Sequence, residues 1–124
     1  MPSKGALTLG REERIKGQKL TDLLFNSPDS HALTTFPIRL IYLKTDTIEC
    51  NKILVSVPKR FFKHAVDRNR IKRQVREAYR HNKHILADHN DIAMAFIWTG
   101  NMKNESQRVE AKVKKLLQQL AEKV

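Results

Sequence analysis

The chain has 124 residues, room for one ordinary domain with a single core and not for two. Hydrophobic residues make up 40% and charged residues 30%, which fits a folded globular chain better than a disordered one. The formal charge of +11 and a pI near 10.1 favour polyanionic partners, nucleic acid first and an acidic membrane surface second. No apolar run approaches the roughly 20 residues of a spanning helix, and the first ten residues lack the apolar core of a signal peptide. The chain is therefore expected to be cytoplasmic and not a membrane partner. Cys50 is the only cysteine, which excludes an intrachain disulfide and a cysteine-based zinc site; a reduced thiol is expected.

In chain order, residues 1–10 read as a flexible lead-in, and 11–124 as one RNA-binding α/β domain. Leu20, Leu23 and Leu24 fall at helical spacing, predicting a short helix that ends near Asn26 with Phe25 on a separate flank. Ser27 to Thr35, with Pro28, Asp29 and Ser30, reads as a loop. Phe36, Ile38, Leu40 and Tyr42 alternate as a strand, and Ile53, Val55 and Val57 as a second that stops at Pro58; the two are expected to be hairpin neighbours. Ile71, Val75, Ala78 and Tyr79 predict a helix through most of Lys59 to Ala87. From Ile92 to Trp98 both faces are apolar, as in a strand covered on both sides. Asn104 is the expected N-cap of a last helix whose stripe is Val109, Val113, Leu116, Leu117 and Leu120. The order helix, strands, long basic helix, strand, helix describes an α+β domain, one sheet with helices packed on it.

Charge is concentrated in the middle. Between Lys59 and Lys83, ten basic residues stand against Asp67 and Glu77, so +8 of the +11 lies in this segment. On a helical wheel Lys72, Arg73, Arg76 and Arg80 lie opposite the Ile71, Val75 and Ala78 edge; Asn69 falls among them as a neutral donor and acceptor, and Arg68 points toward the junction of helix and sheet. Like charges four apart weaken a helix, and neutralising phosphates offsets that. Phe61 and Phe62, in the adjoining Lys59–Lys63 loop, are each open to core packing or to stacking on unpaired bases. Nothing in the sequence looks like a protein nuclease: the five histidines are scattered and no carboxylate pair has an obvious magnesium-sharing spacing. His81 and His84 are expected at a solvated helix end rather than on a metal. A DNA-binding helix-turn-helix would need a partner helix beside Arg68 to Arg80, where strands are predicted, so DNA is not an expected partner.

The run Ala65-Val66-Asp67-Arg68-Asn69-Arg70-Ile71-Lys72-Arg73-Gln74-Val75-Arg76 resembles the signature of the bacterial ribonuclease P protein component. Ser56-Val57-Pro58-Lys59-Arg60 and Arg14-Ile15-Lys16 are similar to flanking parts of that family. The resemblance implies a two-layer α/β sandwich with one mixed sheet and a left-handed βαβ crossover, against the usual right-handed rule. It implies an accessory subunit of the endoribonuclease that removes the 5′ leader of precursor tRNA. The catalytic RNA would do the hydrolysis with Mg²⁺, and the protein would supply no catalytic residue and hold no tightly bound cofactor. The partners it implies are that RNA and the 5′ leader. Lys59, Arg60, Lys63, Arg68, Asn69, Arg70, Lys72, Arg73, Arg76 and Arg80 would bind RNA; Phe25, Phe36 and Tyr42 would line a leader cleft. Leu20-Thr21 stands where many members carry a further aromatic. The alternative reading is a structural ribosomal RNA-binding protein, with the same basic helix and no need of an aromatic cleft.

Overall fold

The computed structural model describes residues 13–124; the expected lead-in, 1–10, lies outside them. Helix α1 (Gln18–Asn26) is followed by strands β1 (His31–Thr35), β2 (Ile38–Lys44) and β3 (Lys52–Ser56), helix α2 (Ala65–Asn82) with a 3₁₀ turn (Lys83–Leu86), strand β4 (Ile92–Trp98) and helix α3 (Ser106–Lys123). The four strands form one mixed sheet in the order β1-β2-β4-β3. β2 runs antiparallel to β1 and β4, while β3 and β4 are parallel and joined through α2.

Two expectations about the sheet are corrected. β2 and β3 are not hairpin neighbours: β4 lies between them, paired with both. A strand with apolar residues on both faces suits that central place, and β4 is buried along nearly its whole length. The segment read as a loop, moreover, contains β1, an edge strand whose residues are exposed or half-buried and so carry no alternating signature. Phe36 and Pro37 are the two residues of the turn between Thr35 and Ile38, so Phe36 belongs to no strand.

Strand alternation divides the core in two. Ile38, Leu40 and Tyr42 of β2, Ile53 and Val55 of β3, and Met94, Phe96 and Trp98 of β4 meet α2 and α3 through Ile71, Val75, Tyr79, Val113 and Leu117. On the other sheet face Leu24 of α1 is fully buried against Leu43, Ala93 and Ala95, with Leu20, Ile41 and Leu54 around it. The alanines let the short helix approach β4 closely. The N-cap of α1 is Gly17, whose φ of +82° is a conformation that a side chain would strain. Just before it, the Ile15 amide donates to the Ile53 carbonyl at 2.9 Å, extending the sheet edge beyond β3 and fixing Arg14 beside the strand that leads into α2.

α3 begins at Ser106, with Glu105 rather than Asn104 at the N-cap and no side-chain cap. A tertiary contact fixes its entry instead: the Gln74 amide of α2 donates to the Asn104 carbonyl at 3.0 Å and to the Ser106 hydroxyl at 3.2 Å.

Candidate nucleic-acid interface

α2 follows from its apolar edge. Ile71, Val75, Ala78 and Tyr79 are buried as their spacing predicts, so Asn69, Arg70 and Arg73 must face outward, and they are exposed or half-buried. Lys72, Arg76 and Arg80 are half-buried. Asp67 in the first turn and Arg80 in the last complement the helix dipole.

The outward face is shaped. Arg14, Asn69, Arg73, Arg76, Glu77 and Arg80 surround a concavity of about 360 Å³. Burial, and to a lesser degree the nearby Arg14 guanidinium, push the Arg76 pKa down, so two like charges face one hollow. An anion seated there relieves that repulsion. Glu77 is already engaged: Arg80 donates to its carboxylate from Nη2 at 2.6 Å and from Nε at 3.2 Å. That hydrogen bond, with the adjacent positive charge, holds the Glu77 carboxyl below its ordinary range. Arg80 therefore serves α2 itself and is less available to a ligand than Arg73 or Arg76.

Arg68 is likewise engaged. Its Nη1 donates to the carbonyls of Phe62 and Lys63, each at 2.8 Å, and so ties the loop before α2 to the helix. Lys59, Arg60 and Lys63 are exposed on that loop. Phe62 is core, and Phe61 is half-buried beneath the Arg60 guanidinium, 4.9 Å from the ring centroid. At the far end of α2, His81 Nδ1 lies 2.9 Å from a Glu110 carboxylate oxygen of α3, and its Nε2 lies 2.9 Å from Arg80 Nη2. Accepting from the guanidinium at Nε2 leaves Nδ1–H to donate to Glu110. Among the described residues no three His, Cys, Asp or Glu side chains cluster as metal ligands.

The three aromatics expected in one cleft are not brought together. Phe25 is 41% exposed on α1, on the Leu43 and Ala93 side of the sheet. Tyr42 is only 4% exposed and belongs to the opposite face, where its ring packs 5.5 Å from that of His31 and burial pushes its pKa up. The reason is strand parity: Tyr42 shares a face with Ile38 and Leu40, and α1 covers the other. Phe36, 54% exposed, sits in the β1–β2 turn. Conversely, Arg14 joins the basic hollow although the sequence offered only an isolated arginine far from α2. Its one signal was the Arg14-Ile15-Lys16 similarity.

The family model described as Ribonuclease P matches residues 9–121. The chain belongs to the ribonuclease P protein family. A ribonuclease P protein component of Porphyromonas gingivalis is 38% identical over 90 residues, an alignment covering 71% of this chain and 64% of that protein. The chain thus spans somewhat under two thirds of that relative's length. One from Ectopseudomonas mendocina is 30% identical over 106 residues, covering 84% and 74%. Among solved structures, the RNase P protein from Thermotoga maritima superposes with a TM-score of 0.72 at 21% identity, covering 86% of this chain and 96% of that one. The Staphylococcus aureus RNase P protein gives 0.72 at 18%, covering 87% and 94%. These last two show a shared ribonuclease P protein fold, an open four-stranded mixed sheet with three helices. No helix among the described residues is long and apolar enough to cross a membrane.

Proposed function

We propose that this chain is the protein subunit of a ribonuclease P, an accessory subunit of a tRNA-processing endoribonuclease working in the cytoplasm. It binds the catalytic RNA through the outward face of α2 and the loop before it. The observation that carries this reading is the convergence of Arg14, Asn69, Arg73 and Arg76 on one hollow, within a family whose members are named for that ribonucleoprotein. Arg70, Lys72, Lys59, Arg60 and Lys63 extend the positive surface, and Arg68 holds the loop in place. Arg80 adds to the field while bound to Glu77. Hydrolysis belongs to the RNA and its Mg²⁺; the protein's part is to neutralise phosphates and position the RNA. On the α1 side of the sheet, Phe25 offers an exposed ring for the single-stranded 5′ leader of precursor tRNA. The reading of a ribosomal structural protein would leave the match to the Ribonuclease P family model over residues 9–121 unexplained.

The test is reconstitution with a bacterial ribonuclease P RNA at low magnesium. The chain is expected to increase cleavage of precursor tRNA, and failure to do so overturns the reading. Phe25→Ala is expected to reduce the preference for precursor over mature tRNA; equal loss of both would remove Phe25 from leader contact.

A further inference from the structure

At the end of the sheet away from the 3₁₀ turn lies a second surface. Phe36, Met102, Asn104, Arg108, Ala111 and Lys112 line a concavity of about 400 Å³ between the β1–β2 turn and the first turns of α3. Phe36 and Met102 are 54% and 44% exposed, and the two charged residues in the lining are both cations. Phe36 and Met102 thus leave apolar surface open to water beside two cations.

The platform is held from behind. A Cβ added to Gly100 would stand 3.2 Å from the Phe36 ring tip, so the ring lies close over the glycine backbone. The Pro37 carbonyl behind it accepts from the Thr99 amide at 2.7 Å and from the Thr99 hydroxyl at 3.0 Å. Trp98 Nε1 donates to the Met102 carbonyl at 3.1 Å, and Gln74 holds Asn104. Of the acids around it, Asp67 is paired with Lys103 at 2.9 Å and Glu110 with His81, while Glu105 stands exposed at the N-cap of α3. The surface therefore presents an exposed ring, a polarizable thioether and two cations in the first turns of α3 against one acid.

We infer that this concavity is a second single-stranded RNA contact, in which a base stacks on Phe36 while Arg108 and Lys112 meet the flanking phosphates. The stacking ring makes the contact tolerant of sequence, and the cations make it salt-dependent. It uses none of the residues assigned to the catalytic RNA. The charge pattern favours RNA over a second copy of this chain, since a molecule of charge +11 repels itself at a basic patch.

The experiment uses the full chain and a short fluorescein-labelled oligouridylate, followed by anisotropy, with a thiouridine-substituted version for photocrosslinking. Cross-links are expected on the peptides carrying Phe36 and Met102. Phe36→Ala should weaken binding roughly 5- to 100-fold, the loss of one base–aromatic stack. Phe36→Tyr should restore most of it, and Arg108→Gln with Lys112→Gln should flatten the salt dependence. Phe36 is exposed, so its truncation leaves the core intact, and matching thermal melts check this. Unchanged affinity in Phe36→Ala, cross-links confined to α2, or a change in self-association in place of RNA binding would each overturn the inference. Failure of reconstitution with the catalytic RNA while the Phe36 cross-link persists would sink only the proposed function.

Discussion

Arg68 donates to the carbonyl of Phe62, a core residue in the loop before its own helix, at 2.8 Å, and the same Nη1 reaches the Lys63 carbonyl at equal distance. A residue of the basic run thus spends its charge inside the protein, joining the end of the β3 connection to the start of α2.

Arg68→Ala should therefore destabilise the fold, by about 1–3 kcal/mol for the missing charge-assisted bonds and the part-buried carbonyl left behind. Arg70→Ala, at an exposed position, should leave stability within about 0.5 kcal/mol of the parent and weaken only RNA binding. Urea melts of both variants, set beside their affinity for ribonuclease P RNA, separate the two. If Arg68→Ala melts like the parent, the loop does not depend on this contact.

The hollow on α2 makes a quantitative claim about salt. Arg73→Ala and Arg76→Ala should each lower the slope of log affinity for ribonuclease P RNA against log salt by about 0.7–0.9, the value for one phosphate that the protein no longer neutralises. Arg14→Ala should behave in the same way, because it faces the same hollow. Arg80→Ala should change the slope less, since its guanidinium is bound to Glu77. Titrations across a salt series decide this; equal slope changes for Arg80 and Arg73 would show that the Glu77 pair opens on binding.

These residues differ in how far the sequence could reveal them. Arg73 and Arg76 follow from helical spacing, because Ile71, Val75 and Ala78 fix which face is buried and the rest is geometry. Phe62 could not be told from Phe61, since neither sits in a periodic segment. The parity of Tyr42 was legible, as it alternates with Ile38 and Leu40, but which face α1 would cover depends on long-range packing of Leu24 against Ala93 and Ala95. Arg14 reaches α2 through a single backbone bridge to Ile53, a contact with no local signature. Adjacency in sequence suggested a β2–β3 hairpin; the doubly apolar β4 was the sign that a third strand had to be central.

Asn51 offers a test of how the end of α2 is returned to the sheet. Its Oδ1 accepts from the Ile92 amide at 3.0 Å, and its Nδ2 donates to the His89 carbonyl at 3.0 Å, spanning the turn that leads into β4. Asn51→Ala should cost about 1–3 kcal/mol. Asn51→Asp keeps the acceptor but replaces the donor with an oxygen facing a carbonyl, so it should not rescue the loss. Denaturant midpoints of the two variants measure this, and a stable Asn51→Asp would remove the donor half of the clamp.

The last prediction concerns acid. Asp67 is held below its ordinary carboxyl range chiefly by the hydrogen bond from Lys103, which ties the first turn of α2 to the loop before α3; Glu77 is held down by Arg80. A carboxyl whose pKa is lower folded than unfolded binds fewer protons in the folded state, so stability rises with pH through that window. Both contributions are complete above about pH 5 and fade as pH falls below about 4 through the depressed values. Asp67→Asn should therefore melt below the parent near neutrality, and the gap should close as the buffer is taken toward about pH 3. The pair lies at the surface, with Asp67 half-buried and Lys103 exposed, so the gap should also shrink in high salt. A difference between parent and variant that stays constant from neutral to acid pH would mean that the Lys103 pair does not act through the ionised carboxylate.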